Sequence, residues 1–596
     1  MAWYDEAVFY HIYPLGLAGA PKQNDYGEPV HRLNTLLPWV DHIKEIGGSA
    51  LYIGPLFESV GHGYETTDYK KLDSRLGTNE DLTAFVAYCH EQGIKVIFDG
   101  VFNHTGRDFF AFKDIQANRE NSHYKDWYCN VNFWGNNEYN DGFSYDNWGG
   151  YNLLVKLNQK NPAVVDYICD VIRFWVSEFD VDGIRLDAAD VLDFDFMKAL
   201  RRTANEVKPD FWLMGEVIHG DYSRWVNGET LHSVTNYTLH KALYSGHNDH
   251  NYFEIAHTVR RLQNMGTLKL YNFVDNHDVE RIYTKLTNKA HFAPVHVLLY
   301  TLPGVPSIYY GSEFGIEGRK EYGSDDSLRP ALNIEDYKDS VKTNPCTALI
   351  AALGKVRQAV PALPYGSYDE LMLTNRQFAY ARDLDGTRVI VSVNNDDAPA
   401  GMHLAAGNCT AYIGALSGEK VSVQDGHINI TQPANSGEIW VPEGTDLDVK
   451  PVKVVTKTDS EAKTNTEDKA ASETATDAKG NKEAEPKIES KGIVTATESA
   501  DAKKNTTDIE KNTTAANEVK DSAKDASAQA AADTPVDPET ITVDWSKSPE
   551  SMTVPELQAA ILAKLAGNGP VDAQMKKTVV DNIWHDSLVN WLKSFR

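Results

Sequence analysis

Residues 95–104 read Lys-Val-Ile-Phe-Asp-Gly-Val-Phe-Asn-His, and residues 183–190 read Gly-Ile-Arg-Leu-Asp-Ala-Ala-Asp. Each is a short apolar run that ends in polar residues: Asp99, Asn103 and His104 in the first, Arg185 and Asp187 in the second. Runs of this length and composition read as buried parallel strands, and their polar ends as the points where the chain leaves the sheet. Working outward, similar runs occupy residues 8–14, 49–55, 212–217, 233–238, 269–278 and 306–311, which makes eight in all. Helical patterns lie between them at 80–92, 162–178 and 196–207; in the second, Val165, Ile168, Ile172, Trp175 and Val176 recur at helical spacing. Eight strands alternating with helices predict an α/β fold, a closed (β/α)8 TIM barrel over residues 1–104 and 151–360.

The gap between the third and fourth strands is long and rich in Asn, Tyr, Phe and Trp, so residues 105–150 are expected to form an excursion domain at the barrel mouth. Residues 361–452 change to short alternating segments with Asp-Gly turns at 385–386 and 425–426, the pattern of a C-terminal antiparallel β-sandwich. Residues 453–545 carry no aromatic until Trp545, and the stretch is dominated by Ala, Thr, Lys, Asp, Glu, Ser and Asn. Such a composition cannot bury enough surface to offset ordering entropy and reads as a disordered, low-complexity linker. Residues 546–596 close the chain. Thr553-Val-Pro-Glu556 forms a capping box ahead of Leu557, Ile561, Leu562 and Leu565, and a second amphipathic pattern spans 572–595. Together they predict a small helical hairpin, either self-contained or serving as a docking or self-association module that covers Trp584 and Trp591.

Composition removes several function classes. The chain has 596 residues, 58 Lys+Arg against 85 Asp+Glu and a formal charge of −27, which disfavours phosphate backbones and anionic lipid surfaces. Neither nucleic acid nor membrane is an expected partner. Five scattered cysteines form no CxxC or Cys/His cluster, and the first residues lack the basic region and apolar run of a secretory signal, so a reduced, cytoplasmic protein is expected.

Barrel enzymes carry their chemistry where strands end. Here those ends supply carboxylates and histidines: Asp99 and His104, Arg185 and Asp187, Glu216, and the Asp275-Asn-His277-Asp278 run. Arg185 and Asp187 are two apart and project to one side, so the guanidinium is expected to keep the Asp187 carboxylate ionised, as a nucleophile requires. Glu216 follows Leu213, Met214 and Gly215; desolvation beside an anion is expected to raise its pKa, as a general acid requires. Two carboxyls tuned apart, with a third facing them, suit glycoside cleavage, and Asp278 is the third. Arg329, near Asp325 after the last strand, is expected to reach the sugar on the donor side.

The set DGVFNH (99–104), GIRLDAAD (183–190), GEV (215–217), FVDNHD (273–278), GYETTDY (63–69) and GVPSIYYG (304–311) resembles the α-amylase superfamily, glycoside hydrolase family thirteen. The resemblance covers roughly residues 1–450. It implies Asp187 as nucleophile, Glu216 as general acid/base and Asp278 as transition-state stabiliser of a retaining hydrolase that passes through a covalent glucosyl-enzyme. It further implies that Tyr64 stacks under the glucose of the cleaved subsite, and that His104, Arg185 and His277 bind its hydroxyls or orient the nucleophile. Val155-Lys-Leu-Asn158 and Glu216-Val-Ile-His219 resemble segments of the neopullulanase, cyclomaltodextrinase and maltodextrin-hydrolase group. That group usually carries an N-terminal domain, whereas the first strand here begins within ten residues of the start. Asp190 stands where many members have a Lys toward the acceptor sugar.

The expected activity is therefore cleavage of α-1,4-glucosidic bonds in short maltodextrins. An α-glucan transglycosylase and a non-catalytic glycan-binding scaffold remain as alternatives. No cofactor is needed for the chemistry. A structural calcium stays open: Asn103 matches a ligand of some family members, but Asn24-Asp25-Tyr-Gly27 does not reproduce the family's acidic loop, and the metal takes about six to eight oxygens.

Overall fold

A computed structural model describes residues 2–452, apart from 267, 322, 323 and 450, together with residues 543, 547, 548, 552–566 and 592. Eight parallel strands occur in the predicted order: β1 (Phe9–Ile12), β2 (Ala50–Ile53), β3 (Lys95–Gly100), β4 (Gly183–Leu186), β5 (Trp212–Gly215), β6 (Ser233–Val234), β7 (Tyr271–Phe273) and β8 (Val305–Tyr309). Their ladder runs β6-β5-β4-β3-β2-β1-β8-β7, and a parallel bridge between Thr235 and Tyr271 joins the two ends. The barrel is thus present as expected.

The strands are shorter than their apolar runs, because the last residues of each run leave the ladder to deliver side chains to the barrel mouth. Ser233–Val234 pairs for two residues only, and a helix begins at Tyr237, where the sequence reading had continued the strand to 238. Residues 274–278, read as strand, form a loop: Asn276 Oδ1 accepts from the amides of Asp278 and Val279 at 2.8 and 3.1 Å. At the opposite pole the barrel is filled by Phe9, Tyr52, Ile97, Trp212, Met214, Tyr271 and Phe273. Outside it, the helix Pro162–Phe179 shows how the wrapping elements form. Asn161 caps its amide end through a 2.9 Å bond from Ala163 N, Pro162 supplies a preset φ, and Asp180 ends it in the left-handed region. Ile168, Ile172, Trp175 and Phe179 all bury against the sheet, each contributing roughly 1.5–3 kcal/mol.

The loop after β2 contains a hairpin, Phe57–Ser59 with Thr66–Leu72, that sequence periodicity did not reveal; Tyr64 lies in its turn. The excursion after β3 holds the helix Phe110–Asn118 and a three-stranded sheet in which Tyr151–Lys156 pairs with both Asn147–Trp148 and His104–Thr105. Residues 151–156, assigned to the barrel by the boundary at 150, therefore belong to the excursion, as does His104. Their pleat pairs with the excursion, and helix periodicity resumes only at Pro162. Eight antiparallel strands between Ser367 and Pro442 form a six-stranded and a two-stranded sheet around Ile390, Leu404, Tyr412, Ile428 and Trp440.

In the C-terminal unit, the helix Val554–Ala566 starts where the capping box predicts, with Thr553 N and Oγ1 both donating to Glu556 Oε2 at 2.7 and 3.0 Å. Leu557, Ile561 and Leu562 cluster with Leu592. The linker, the second helical pattern, Trp584 and Trp591 lie outside the described residues. Among the described residues, no helix is long and apolar enough to cross a membrane.

Candidate active site

Parallel register sets the site. Asp99 on β3 pairs with Arg185 on β4, and Arg185 pairs with Met214 on β5, so these neighbouring strands hand their next polar residues to one place. Arg185 Nη1 donates to both oxygens of Asp99, at 2.8 and 3.1 Å, and to Asp187 Oδ1 at 2.9 Å. Its Nη2 meets Glu216 Oε2 at 2.9 Å. Glu216 also accepts from Ala188 N at 3.1 Å and, through Oε1, from the Tyr237 hydroxyl at 3.4 Å. One buried guanidinium therefore gathers three carboxyls from three successive strands.

This corrects the electrostatic expectation for Asp187. Burial pushes its carboxyl well above the usual range; Arg185 opposes the rise, and Glu216, Asp99 and Asp278 add to it. A single cation is shared among Asp99, Asp187 and Glu216, so Arg185 offsets the rise at Asp187 less than a private Arg185–Asp187 pair would.

Asp278 stands on the opposite wall with the reverse electrostatics. Burial would raise its pKa, but the adjacent His277, then Arg329 and Arg185, outweigh that and hold it well below the usual carboxylate range. His277 Nε2 lies 2.9 Å from Asp278 Oδ2, and Arg329 Nη2 donates to Asp278 Oδ1 at 2.8 Å and to Asp325 Oδ2 at 2.9 Å. Arg329 Nε donates to the His277 carbonyl at 3.0 Å, and its guanidinium lies 4.7 Å from the Tyr13 ring centre. The structure thus brings Arg329 to the site, with Asp278 as its direct partner.

Tyr64 is stacked parallel to His277, with ring centres 5.7 Å apart, and its hydroxyl reaches His277 Nε2 at 2.5 Å and Asp99 Oδ2 at 3.2 Å. His104 is fully buried and meets the Tyr64 backbone. Its pKa is pushed down to about 3 by burial, so a neutral imidazole donates from Nε2 to the Tyr64 carbonyl at 3.1 Å. His104 therefore supports Tyr64 at its backbone. The Val155-Lys-Leu-Asn158 segment is tied to the same region, through pairing of Lys156 with His104 and a 3.0 Å bond from Leu157 N to the Asn103 carbonyl.

Sequence reasoning named Asp187, Glu216, Asp278, Tyr64, His104, Arg185, His277 and Arg329, and the structure brings all eight into one connected region. It quoted Asp99 and Asn276 within their motifs without a role, and it missed Tyr237; these groups connect the others. Asp99, fully buried, takes bonds from Arg185, Tyr52 and Tyr64. Tyr237 touches Glu216 and accepts from Asn276 Nδ2 at 3.2 Å, which links the acid to the turn that holds Asp278. Asp99 and Asn276 had a signal, as polar residues at the ends of apolar strands, but Tyr237 had none.

Calcium finds little support in these residues. Asn103 Oδ1 is buried without a partner, yet it is one neutral oxygen, and among the described residues no group of three or more His, Cys, Asp or Glu gathers for a metal. No disulfide links the five cysteines.

Residues 32–354 match the family model described as "Alpha amylase, catalytic domain". A cyclomaltodextrinase of a Bacillus species is 31% identical over 422 residues, covering 67% of this chain and 74% of that protein. Neopullulanase 2 of Thermoactinomyces vulgaris is 29% identical over 473 residues, covering 74% of this chain and 78% of the relative. Among solved structures, the acarbose-soaked debranching enzyme of Nostoc punctiforme superimposes with a TM-score of 0.64 at 26% identity, covering 74% of this chain and 98% of the other.

Proposed function

The chain belongs to the α-amylase catalytic-domain family of glycoside hydrolases, and on that premise we propose that it cleaves α-1,4-glucosidic bonds of short maltodextrins with retention of configuration. The observation that carries this reading is the single guanidinium of Arg185 shared by Asp187 and Glu216, whose neighbouring carboxyls suit a nucleophile and a proton donor. Retaining glycosidases use two carboxyls in this way.

The reactive form is the one in which Arg185 holds Asp187 ionised and Glu216 carries the proton; in the first step Glu216 gives that proton to the glycosidic oxygen while a carboxylate oxygen of Asp187 bonds to C1. The C1–O bond breaks, and the shortened chain leaves as an alcohol. Asp187 is then a neutral ester, so the demand on Arg185 falls and Glu216 is left ionised beside it. In the second step Glu216 takes a proton from water, the water oxygen bonds to C1, the ester bond breaks and Asp187 returns as a carboxylate. Asp278, kept anionic by His277 and Arg329, faces the positive charge that builds at C1 in both steps. Tyr64, braced by His104, offers a flat apolar surface to the reacting sugar.

Every group in this scheme belongs to the chain, and the chemistry needs no metal. We place it in a reducing, cytoplasmic setting, in keeping with five cysteines that no disulfide links. The test is the anomeric configuration of products from maltoheptaose, β-cyclodextrin and pullulan, followed by NMR. First-formed α-anomers from maltoheptaose are expected; first-formed β-anomers, or no release by folded protein, would refute the reading.

A further inference from the structure

The excursion domain carries a second concave surface that shares no residue with the carboxylate site. It is a groove of about 660 Å³, within the roughly 300–1,000 Å³ of small-molecule sites, and it includes Glu120, Asn130, Asn132, Trp134, Tyr145 and Asp146. Trp134 is 99% exposed, whereas the adjacent Phe133 turns inward to pack on Phe143 with ring centres 5.7 Å apart. The turn is fixed. Asn132 and Ser144 exchange backbone hydrogen bonds at 2.8 and 2.9 Å, and Asn132 Oδ1 accepts from Trp134 N at 3.0 Å. An indole carried out into solvent on this fixed turn contributes little to the fold and offers a large apolar face to a ligand.

The surroundings of the ring define the ligand. Asn130 Nδ2 donates to Asp146 Oδ2 at 2.8 Å, so an amide and a carboxylate line the same groove as the indole. No Lys or Arg lines the groove, and its carboxylates turn away phosphate and nucleic acid. Amide and carboxylate groups beside an aromatic face suit a neutral polyhydroxylated ring, whose C–H face stacks while its hydroxyls bond to the rim.

We propose that the groove beside Trp134 binds a segment of α-glucan chain, as a second point of attachment separate from Asp187, Glu216 and Asp278. The choice of α-glucan rests on the function proposed above. Two attachment points raise the effective affinity for chains long enough to span both and add nothing for short ones.

The test uses full-length protein in the Asp187→Asn background, so that no glucan is consumed, run on native gels containing increasing amylopectin. Trp134→Ala is expected to need about tenfold more amylopectin for equal retardation, while Trp134→Phe retains most of the effect. With Asp187 intact, Trp134→Ala should hydrolyse maltotriose at the parent rate and lose efficiency on amylopectin only. Equal retardation with and without Trp134, no retardation of either protein, or an equal loss on maltotriose would each overturn the proposal. Failure of the catalytic reading would appear separately, as absence of maltotriose turnover by the parent protein.

Discussion

Arg185 and Glu216 form a 2.9 Å contact through the guanidinium's second nitrogen, while the first holds Asp187 and Asp99. The proposed acid and nucleophile therefore compete for one cation. Arg185→Lys should reveal this, because an ammonium cannot present the planar fork that reaches three carboxyls. Replacing this buried side chain should cost about 3–5 kcal/mol of stability and abolish turnover, checked by denaturant unfolding and maltotriose assays. Parent-like stability would show that the cluster does not depend on the fork.

Asp187→Asn removes one carboxylate from a crowded cluster without changing its shape. Turnover of maltotriose should fall by at least about a thousandfold while binding persists. The melting temperature should hold or rise, because Arg185 keeps Asp99 and Glu216 as partners. A fall of several degrees would show that Asp187 is needed as an ion for folding.

Arg329 spans Asp278, Asp325 and the His277 carbonyl. Arg329→Lys keeps the charge but loses this geometry, and kcat/KM for maltotriose is expected to fall on the order of a hundredfold as Asp278 shifts. A decrease of less than about threefold would indicate that His277 alone positions Asp278.

Several buried histidines are kept neutral. His296 is pushed down to about 4 from 6.5 by burial, and His240 and His247 to about 3. The unfolded chain takes protons on these groups below pH 6.5 and the folded chain does not, so the unfolded state binds more protons and stability rises with pH. Their contribution is complete above pH 6.5 and is lost on acidification toward pH 4 and below. His296→Leu should remove roughly 1.4 kcal/mol per pH unit from the slope of stability between pH 6.5 and 4. Parallel pH profiles for the two proteins would contradict this.

The proposed chemistry uses only carboxyl groups of the chain, so exhaustive treatment with EDTA should leave maltotriose turnover and the melting temperature unchanged. A loss restored by calcium would place a metal site where Asn103 Oδ1 now stands alone.

Much of this arrangement was legible in the residues themselves. Apolar runs of strand length ending in Asp99, Asp187 and Glu216 fix both the strands and the polar residues at their mouths, because a buried parallel strand tolerates charge only where it leaves the sheet. The alternation with helices such as Pro162–Phe179 then leaves the barrel as the fold that buries all eight strands. What the sequence could not determine depends on groups distant along the chain. Asp99 meets Arg185 across 86 residues through β3–β4 register, and Asp278 meets Arg329 across 51 through a loop turn. Sequence spacing also suggested a private Arg185–Asp187 pair. Only the closed barrel, which brings Glu216 and Asp99 onto the same buried guanidinium, turns that pair into a shared cluster, since electrostatic energies follow distance and burial in space and not separation along the chain.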